Sequence, residues 1–177
     1  MNISQTANEA STLKNNLINA KLIRLIKNKK VLRTIIFLSL LIWCFGFSFN
    51  LLFGNSIESA IAYPFLKKIY HTVCHQLDEK TFSINGEKLL VCARCTGIYL
   101  GALISSIASL IFIRNISIKM KLLYFSMIPM LIDVLSTTLG VYTYSKELAF
   151  FTGLFFGSVV FIYILAAIEN NFTDKSF

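Results

Sequence analysis

At 177 residues the chain has the length of one domain, yet 55% of it is hydrophobic and only 15% charged, with a mean hydropathy of +0.66; soluble domains carry about 25% charged residues. Disorder, collagen and a disulfide-dense secreted scaffold are excluded, because the chain is too apolar and 4 Cys are too few. A net charge of +8 would suit nucleic acid, but the positive charge stands in short blocks between apolar runs, which is how membrane topology is written, so no nucleic-acid partner is expected.

In chain order, residues 1–33 form a basic segment, with Lys14, Lys21, Arg24, Lys27, Lys29, Lys30 and Arg33 against Glu9. Leu13, Leu17, Leu22, Ile23 and Ile26 fall loosely at helical spacing within it, which would suit a helix on anionic lipid. The preferred reading is a cytoplasmic topology determinant that also touches lipid. An uncharged run, 34–53, follows. It is longer than the 7–15 residues of a signal-peptide core and has no Ala-x-Ala site after it, so it reads as a retained anchor. A long loop, 54–91, leads to three further apolar runs at about 92–113, 122–142 and 148–168, and a short tail closes the chain at 169–177. A bilayer core of about 30 Å needs about 20 helical residues. Backbone groups in lipid must be satisfied internally, and no run alternates as a barrel strand would. The expected fold is all-α, a four-helix transmembrane bundle with a Cys/His-containing loop between helices one and two.

Orientation follows from Lys and Arg. The loop after helix two carries Arg114, Lys119 and Lys121 with no acid, and the loop after helix three only Lys146 and Glu147. The long first loop balances Lys67, Lys68, Lys80 and Lys88 against Glu58, Asp78, Glu79 and Glu87. Both termini are therefore expected in the cytoplasm and the 54–91 loop outside the cell membrane.

A short echo relates helices two and four. Thr96-Gly97-Ile98-Tyr99-Leu100-Gly101 matches Thr152-Gly153-Leu154-Phe155-Phe156-Gly157 in pattern. Glycines four apart open a flat stripe that another helix can approach closely, which predicts packing of helix two on helix four. The same Gly97, Gly101, Gly153 and Gly157 faces would also suit a second copy or a membrane partner. GxxxG recurs by chance in apolar helices, so no duplication is inferred.

Three of the 4 Cys and both His fall in one stretch. It reads His71-Thr72-Val73-Cys74-His75-Gln76, then a polar segment with an Asn85-Gly86 turn signal, then Cys92-Ala93-Arg94-Cys95. A turn there folds Cys74-His75 back towards Cys92 and Cys95. If the flanks are helical, His71 and His75 share one face, and Cys92 and Cys95 another. Cys-x2-Cys with a further Cys and His is a tetrahedral zinc donor set: Cys74, His75, Cys92 and Cys95, with His71 as replacement if the backbone is regular. The competing reading is a dithiol. Cys92 lies near the positive end of helix two and Arg94 beside it, and both features favour thiolate, so that Cys92 attacks and Cys95 resolves. A third reading is a structural disulfide in a helix-packing or assembly protein. A c-type haem is excluded because Thr96, not His, follows Cys95. Cys44, mid-helix beside Trp43, reads as an apolar packing residue.

Asp133 stands near the middle of helix three, four residues after Pro129, which leaves the Phe125 carbonyl without its helical partner. A charge at bilayer depth costs roughly 2.5–3.5 kcal/mol on insertion scales and marks a functional candidate. It would ionise beside Arg94, carry a proton or bind a cation. Arg94 lies nearer the outer surface, so direct pairing needs tilt or a bridging water. The alternative is a protonated Asp bonded to Ser136 or Thr137. The motifs of soluble enzymes, such as P-loops, Rossmann glycines and G-x-S-x-G, are absent.

Cys74-His75-Gln76, Glu79-Lys80-Thr81-Phe82 and Val91-Cys92-Ala93-Arg94-Cys95-Thr96-Gly97-Ile98-Tyr99 together resemble a family of small prokaryotic membrane proteins classed as a domain of unknown function. That family is recognised by CHQ, an E-R-S-F-like stretch and CARCTG-I-Y. The likeness is specific over 74–101 and extends loosely through Pro129 and Asp133 to Thr152-Gly153. It implies a membrane fold and a site at Cys74, His75, Gln76, Cys92, Arg94 and Cys95, and no activity. Lys80-Thr81 stands where Arg-Ser is usual, and Ala149 where an Arg is expected, which removes charge that helix four would bring to the site. The expectation is a membrane protein with a Cys/His metal site, zinc by donor type, at the outer face. The metal would be structural, or part of a binding or transport site with Asp133 beneath it.

Overall fold

The computed structural model describes residues 28–53, 57–84, 86–112 and 120–174. The elements are α1 (Lys29–Phe53), α2 (Ile57–His71), a 3₁₀ turn (Asp78–Lys80), β1 (Thr81–Ile84), β2 (Glu87–Cys92), α3 (Ala93–Ile111), α4 (Met120–Thr138) and α5 (Lys146–Asp174). Four of the helices, α1, α3, α4 and Lys146–Asn170 of α5, are long and apolar enough to cross a membrane. The 19 residues of α3 rise about 28 Å, close to the roughly 30 Å hydrocarbon core. Most of the basic N-terminal segment, the Asn85 turn residue, Arg114 and Lys119 lie outside the described residues.

The spine is α3. On one side it packs on α5, on the other on α1, while α4 rests on α5. The α3–α5 contact runs through the predicted glycines. Methyl groups added to Gly97 and Gly101 would fall on the Phe150 and Leu154 carbonyls, and methyls on Gly153 and Gly157 on the Arg94 and Ile98 carbonyls. Partners on both helices rise together in number, so the helices run parallel. These four glycines pack α3 against α5 within the chain. The lipid-facing surface is large and apolar: Ile35, Leu38 and Ile42 of α1, and Phe125, Ile128 and Leu135 of α4, are all exposed.

The long loop is more structured than its composition suggests. It holds α2, too short at 15 residues to cross the membrane, whose Tyr70 is buried and donates to the Trp43 carbonyl (2.8 Å). The β1–β2 hairpin then pairs antiparallel, with Ser83 opposite Lys88 and Ile84 opposite Glu87, and Gly86 takes a left-handed φ of 85° in the turn. An irregularity between Thr81 and Ser83 brings Thr81 opposite Cys92. Asn50 Nδ2 holds Glu87 at 2.6 Å, and Lys146 Nζ holds the Thr81 carbonyl at 2.8 Å, so α1 and α5 both clamp the hairpin. Beneath it, Cys44, Phe47, Tyr70, Cys74, Leu90 and Val91 form a buried core, flanked by Trp43 and Tyr99.

Helix α4 ends earlier than the apolar run. Gly140 takes a left-handed φ of 70°, its N–H reaches the Thr137 carbonyl (3.4 Å) and that of Val141 the Ser136 carbonyl (2.9 Å). This is a Schellman stop, which satisfies the last carbonyls and turns the chain back. Asp133 therefore lies five residues from the helix end, about 8 Å along the axis, rather than at the middle of the helix.

A buried ion pair closes the opposite end of the bundle. Arg33 grips Glu169 in bidentate fashion (Nε–Oε1 2.6 Å, Nη2–Oε2 3.1 Å), and its Nη1 donates to the Ser109 carbonyl at 2.6 Å. One residue pair thus joins the start of α1, the end of α5 and the end of α3.

Candidate functional site

The last turn of α2 tightens at its C-terminus: Thr72 N–H bonds to the Ile69 carbonyl and Val73 N–H to that of Tyr70, each at 3.2 Å. Cys74 N–H also reaches Tyr70 (3.0 Å), so Cys74 turns inward and is buried while His71 and His75 stay exposed. The helix stops at His71, and the shared face expected of the two His does not form. Gln76 follows in the left-handed region (φ 49°). Its Nε2 donates to the carbonyls of Leu90 (2.8 Å) and Lys67 (3.1 Å), stitching the end of α2 to β2. Those two acceptors also fix which end of the amide is which.

On the other side, Cys92 is the last residue of β2 and the N-cap of α3, and Cys95 stands in the first turn of that helix. Cys74, Cys92 and Cys95 bring their sulfurs within 4.8 Å of one another, and all are free thiols. The Cys92 N–H donates to Cys74 Sγ at 3.2 Å. Neither His71 nor His75 joins this donor group. Cys44 is apart from it, packed in the aromatic core with its thiol directed at the Tyr99 carbonyl (3.9 Å).

Three thiols fit a soft metal ion. Tetrahedral zinc at 2.3 Å from each sulfur would set the sulfurs about 3.8 Å apart, inside the observed limit. Thiolate donors also favour zinc-like over oxygen-seeking ions. Hydrogen bonds from the Cys92 and Cys95 thiols, with the backbone N–H groups of Cys92 and Gln76, hold the Cys74 thiol well below its ordinary pKa. Its bond to Cys74 in turn holds the Cys92 thiol above the ordinary value. Cys74 is thus the sulfur on which the neighbouring N–H and S–H groups converge.

Beside the thiols opens a cavity of about 300 Å³, lined among others by His75, Gln76, Lys80 and Arg94. Arg94, second residue of α3, pairs directly with Asp133 through Nη2 and Oδ2, and the Tyr142 hydroxyl donates to Asp133 Oδ1. Neither tilt nor a bridging water is needed, because the early stop of α4 sets Asp133 level with Arg94 and returns Tyr142 over it. Thr137 donates to the Asp133 backbone carbonyl rather than to its carboxylate.

The residues that sequence reasoning misses are Tyr142, the last residue of the apolar run 122–142, and Glu169, which falls in the tail. Arg33 was read for topology alone. The signal for Glu169 was a lone acid directly abutting an uncharged run.

The fold and this cluster define a small membrane protein of four apolar helices, three of whose free thiols gather at one end of the bundle. The chain belongs to the family described as predicted membrane protein (DUF2085), whose model matches residues 74–163. That match starts at Cys74 and takes in the whole thiol cluster, Arg94, Asp133 and Tyr142. Among its relatives, an uncharacterized protein of Methanocaldococcus jannaschii is 36% identical over 103 residues, covering 56% of this chain and 66% of its own. An uncharacterized protein of Methanothermobacter thermautotrophicus is 37% identical over 86 residues, covering 48% of this chain and 78% of its own. No solved structure matches the chain.

Proposed function

We propose that Cys74, Cys92 and Cys95 hold a zinc-class ion at the extracytoplasmic face of the membrane, as an open binding centre rather than a closed structural one. The observation that carries this is the convergence of three sulfurs from separate parts of the chain within 4.8 Å, beside a cavity. Structural zinc sites use four protein donors, whereas sites that bind or exchange ligands keep one position open. Three thiolates and a divalent ion carry one net negative charge, and Arg94 and Lys80 among the lining residues face it. His75 lines the same cavity and is the side chain nearest in sequence that could complete the set.

The test is metal content per chain, by elemental analysis of protein purified in mild detergent without chelator or reductant. Near-stoichiometric zinc that is lost in Cys74→Ser, Cys92→Ser and Cys95→Ser, but kept in Cys44→Ser, is the expected result. Metal-free protein with a readily formed Cys92–Cys95 disulfide would replace this reading with a thiol–disulfide oxidoreductase. The position of Cys92 at the N-cap of α3 and Cys95 in its first turn is what favours that second reading.

A further inference from the structure

Charge in this chain is sorted between the two ends of the bundle. Arg33, near the start of α1, meets the Ser109 carbonyl near the end of α3 and Glu169 near the end of α5. Asp133, near the end of α4, meets Arg94 at the start of α3, so α4 begins at the Arg33 end as well. Residues 1–33, 109–121 and 169–177 therefore belong to one end, and residues 54–94 and 133–147 to the other. The thiol end carries 6 Lys and Arg against 6 Asp and Glu and is neutral. The whole formal charge of +8 thus sits at the Arg33 end, where 11 Lys and Arg meet only Glu9, Glu169 and Asp174. Glu169 is already taken by the buried pair. The excess must be balanced by something outside the chain.

The described lysines show what lies there. Lys29 stands one turn, about 6 Å, outside the buried Arg33–Glu169 pair. It approaches Glu169 at 3.7 Å yet stays 46% exposed, and Lys30 beside it is exposed too. Lys121, in the first turn of α4, is exposed between the equally exposed Met120 and Leu122, on the rim of the apolar lipid-facing surface. Basic side chains on such a rim rest their stems on lipid and bring their charge to headgroup level. The apolar positions spaced among the bases of 13–26 suit the same surface.

We propose that the Arg33–Glu169 end of the bundle binds the headgroups of an anionic phospholipid leaflet, through Lys29, Lys30 and Lys121 with contributions from the bases at 14–27. The inference does not rest on the thiol centre. It also differs from a topology role, which is spent once the chain has inserted, whereas lipid binding persists in the folded protein.

The test uses the full chain in phosphatidylcholine vesicles, whose two leaflets are alike, so that orientation contributes nothing. Trace spin-labelled phosphatidylglycerol or phosphatidylcholine reports the fraction of each lipid immobilised on the protein. A preference for phosphatidylglycerol of about fivefold is expected at low salt, equal to RT ln 5 or about 1 kcal/mol. It should fall towards parity in 1 M salt, where the Debye length is about 3 Å. Lys121→Gln should lower the preference, and Lys14→Gln with Lys21→Gln, Arg24→Gln and Lys27→Gln should lower it further. Lys68→Gln, exposed at the thiol end, should leave it unchanged. If the fourfold variant does not reconstitute, the salt titration of the wild type decides. Equal immobilisation of the two lipids at low salt, or a preference that salt does not reduce, would overturn the proposal. So would salt-sensitive binding of a single-stranded oligonucleotide without any preference for phosphatidylglycerol, which would give this end to a nucleic acid.

Discussion

Breaking the Arg94–Asp133 pair should cost different amounts from its two ends. The Arg94 side chain is 21% exposed and that of Asp133 only 2%. Arg94→Gln leaves a nearly dry carboxylate held by Tyr142 alone, the situation in which losing one partner of a buried pair costs about 3–5 kcal/mol. Asp133→Asn leaves a guanidinium with some access to water, and the new amide oxygen still accepts from it, so the cost falls to about 1–3 kcal/mol. Arg94→Met with Asp133→Leu removes both charges at similar volume and should cost clearly less than the two single changes summed. The measurement is reversible unfolding in mixed micelles titrated with a denaturing detergent and followed by Trp43 fluorescence. If Asp133→Asn proved as damaging as Arg94→Gln, or the double variant were simply additive, the pair would not be a buried coupled unit and the placement of Asp133 would be wrong.

The ion pair at the other end should follow the same rule more severely, because Arg33 and Glu169 are 7% and 3% exposed. Glu169→Gln is expected to cost about 3–5 kcal/mol in the same titration, with much of it recovered in Arg33→Met with Glu169→Leu. Tyr142 gives a pH signature. Its bond to Asp133 raises the phenol above its ordinary value, so the stability it contributes is fully present below pH about 10 and is lost as pH rises through the raised folded value. The stability difference between the wild type and Tyr142→Phe should accordingly be level from neutral pH to about 10 and shrink above it. Gln76→Ala should loosen the end of α2 from β2, removing two bonds of about 1 kcal/mol each, and should raise hydrogen exchange at Cys92 N–H, which Cys74 Sγ accepts.

What was legible in the sequence was whatever has a one-dimensional period or a strict local signal. Apolar runs of spanning length mark the four crossing helices, Asn85-Gly86 the hairpin, and the paired glycines the α3–α5 contact. The three thiols could be grouped because the hairpin was visible between them. What escaped depended on where helices stop. The apolar run 122–142 continues past Gly140, which ends α4, and with that stop come the place of Asp133 near the helix end, its direct pair with Arg94 and the return of Tyr142. The end of α2 at His71 likewise separates two His that an unbroken helix would align. Long-range partners such as Arg33 and Glu169, 136 residues apart, carry no local pattern at all.

One helix carries every connection the site needs, which makes its packing a functional variable. Cys92 and Cys95 face the loop, Arg94 reaches α4, Tyr99 meets α1, and Gly97 lies against the Phe150 carbonyl of α5, only two residues beyond Cys95. No side chain fits at Gly97 without moving backbone, so Gly97→Leu must push the start of α3 away from α5. Overpacking of this kind costs about 1–3 kcal/mol, which leaves room for a folded protein with a displaced helix. The three sulfurs come from both sides of that displacement, since Cys74 stays with α2 while Cys92 and Cys95 travel with α3. Gly97→Leu is therefore expected to lose zinc while retaining helical circular dichroism, although Gly97 offers no ligand. Ile107→Leu, on an exposed part of the same helix, should keep both. Full zinc content in a folded Gly97→Leu protein would mean that the thiols hold their ion without the helix that aligns two of them, and the site would have to be local to the loop.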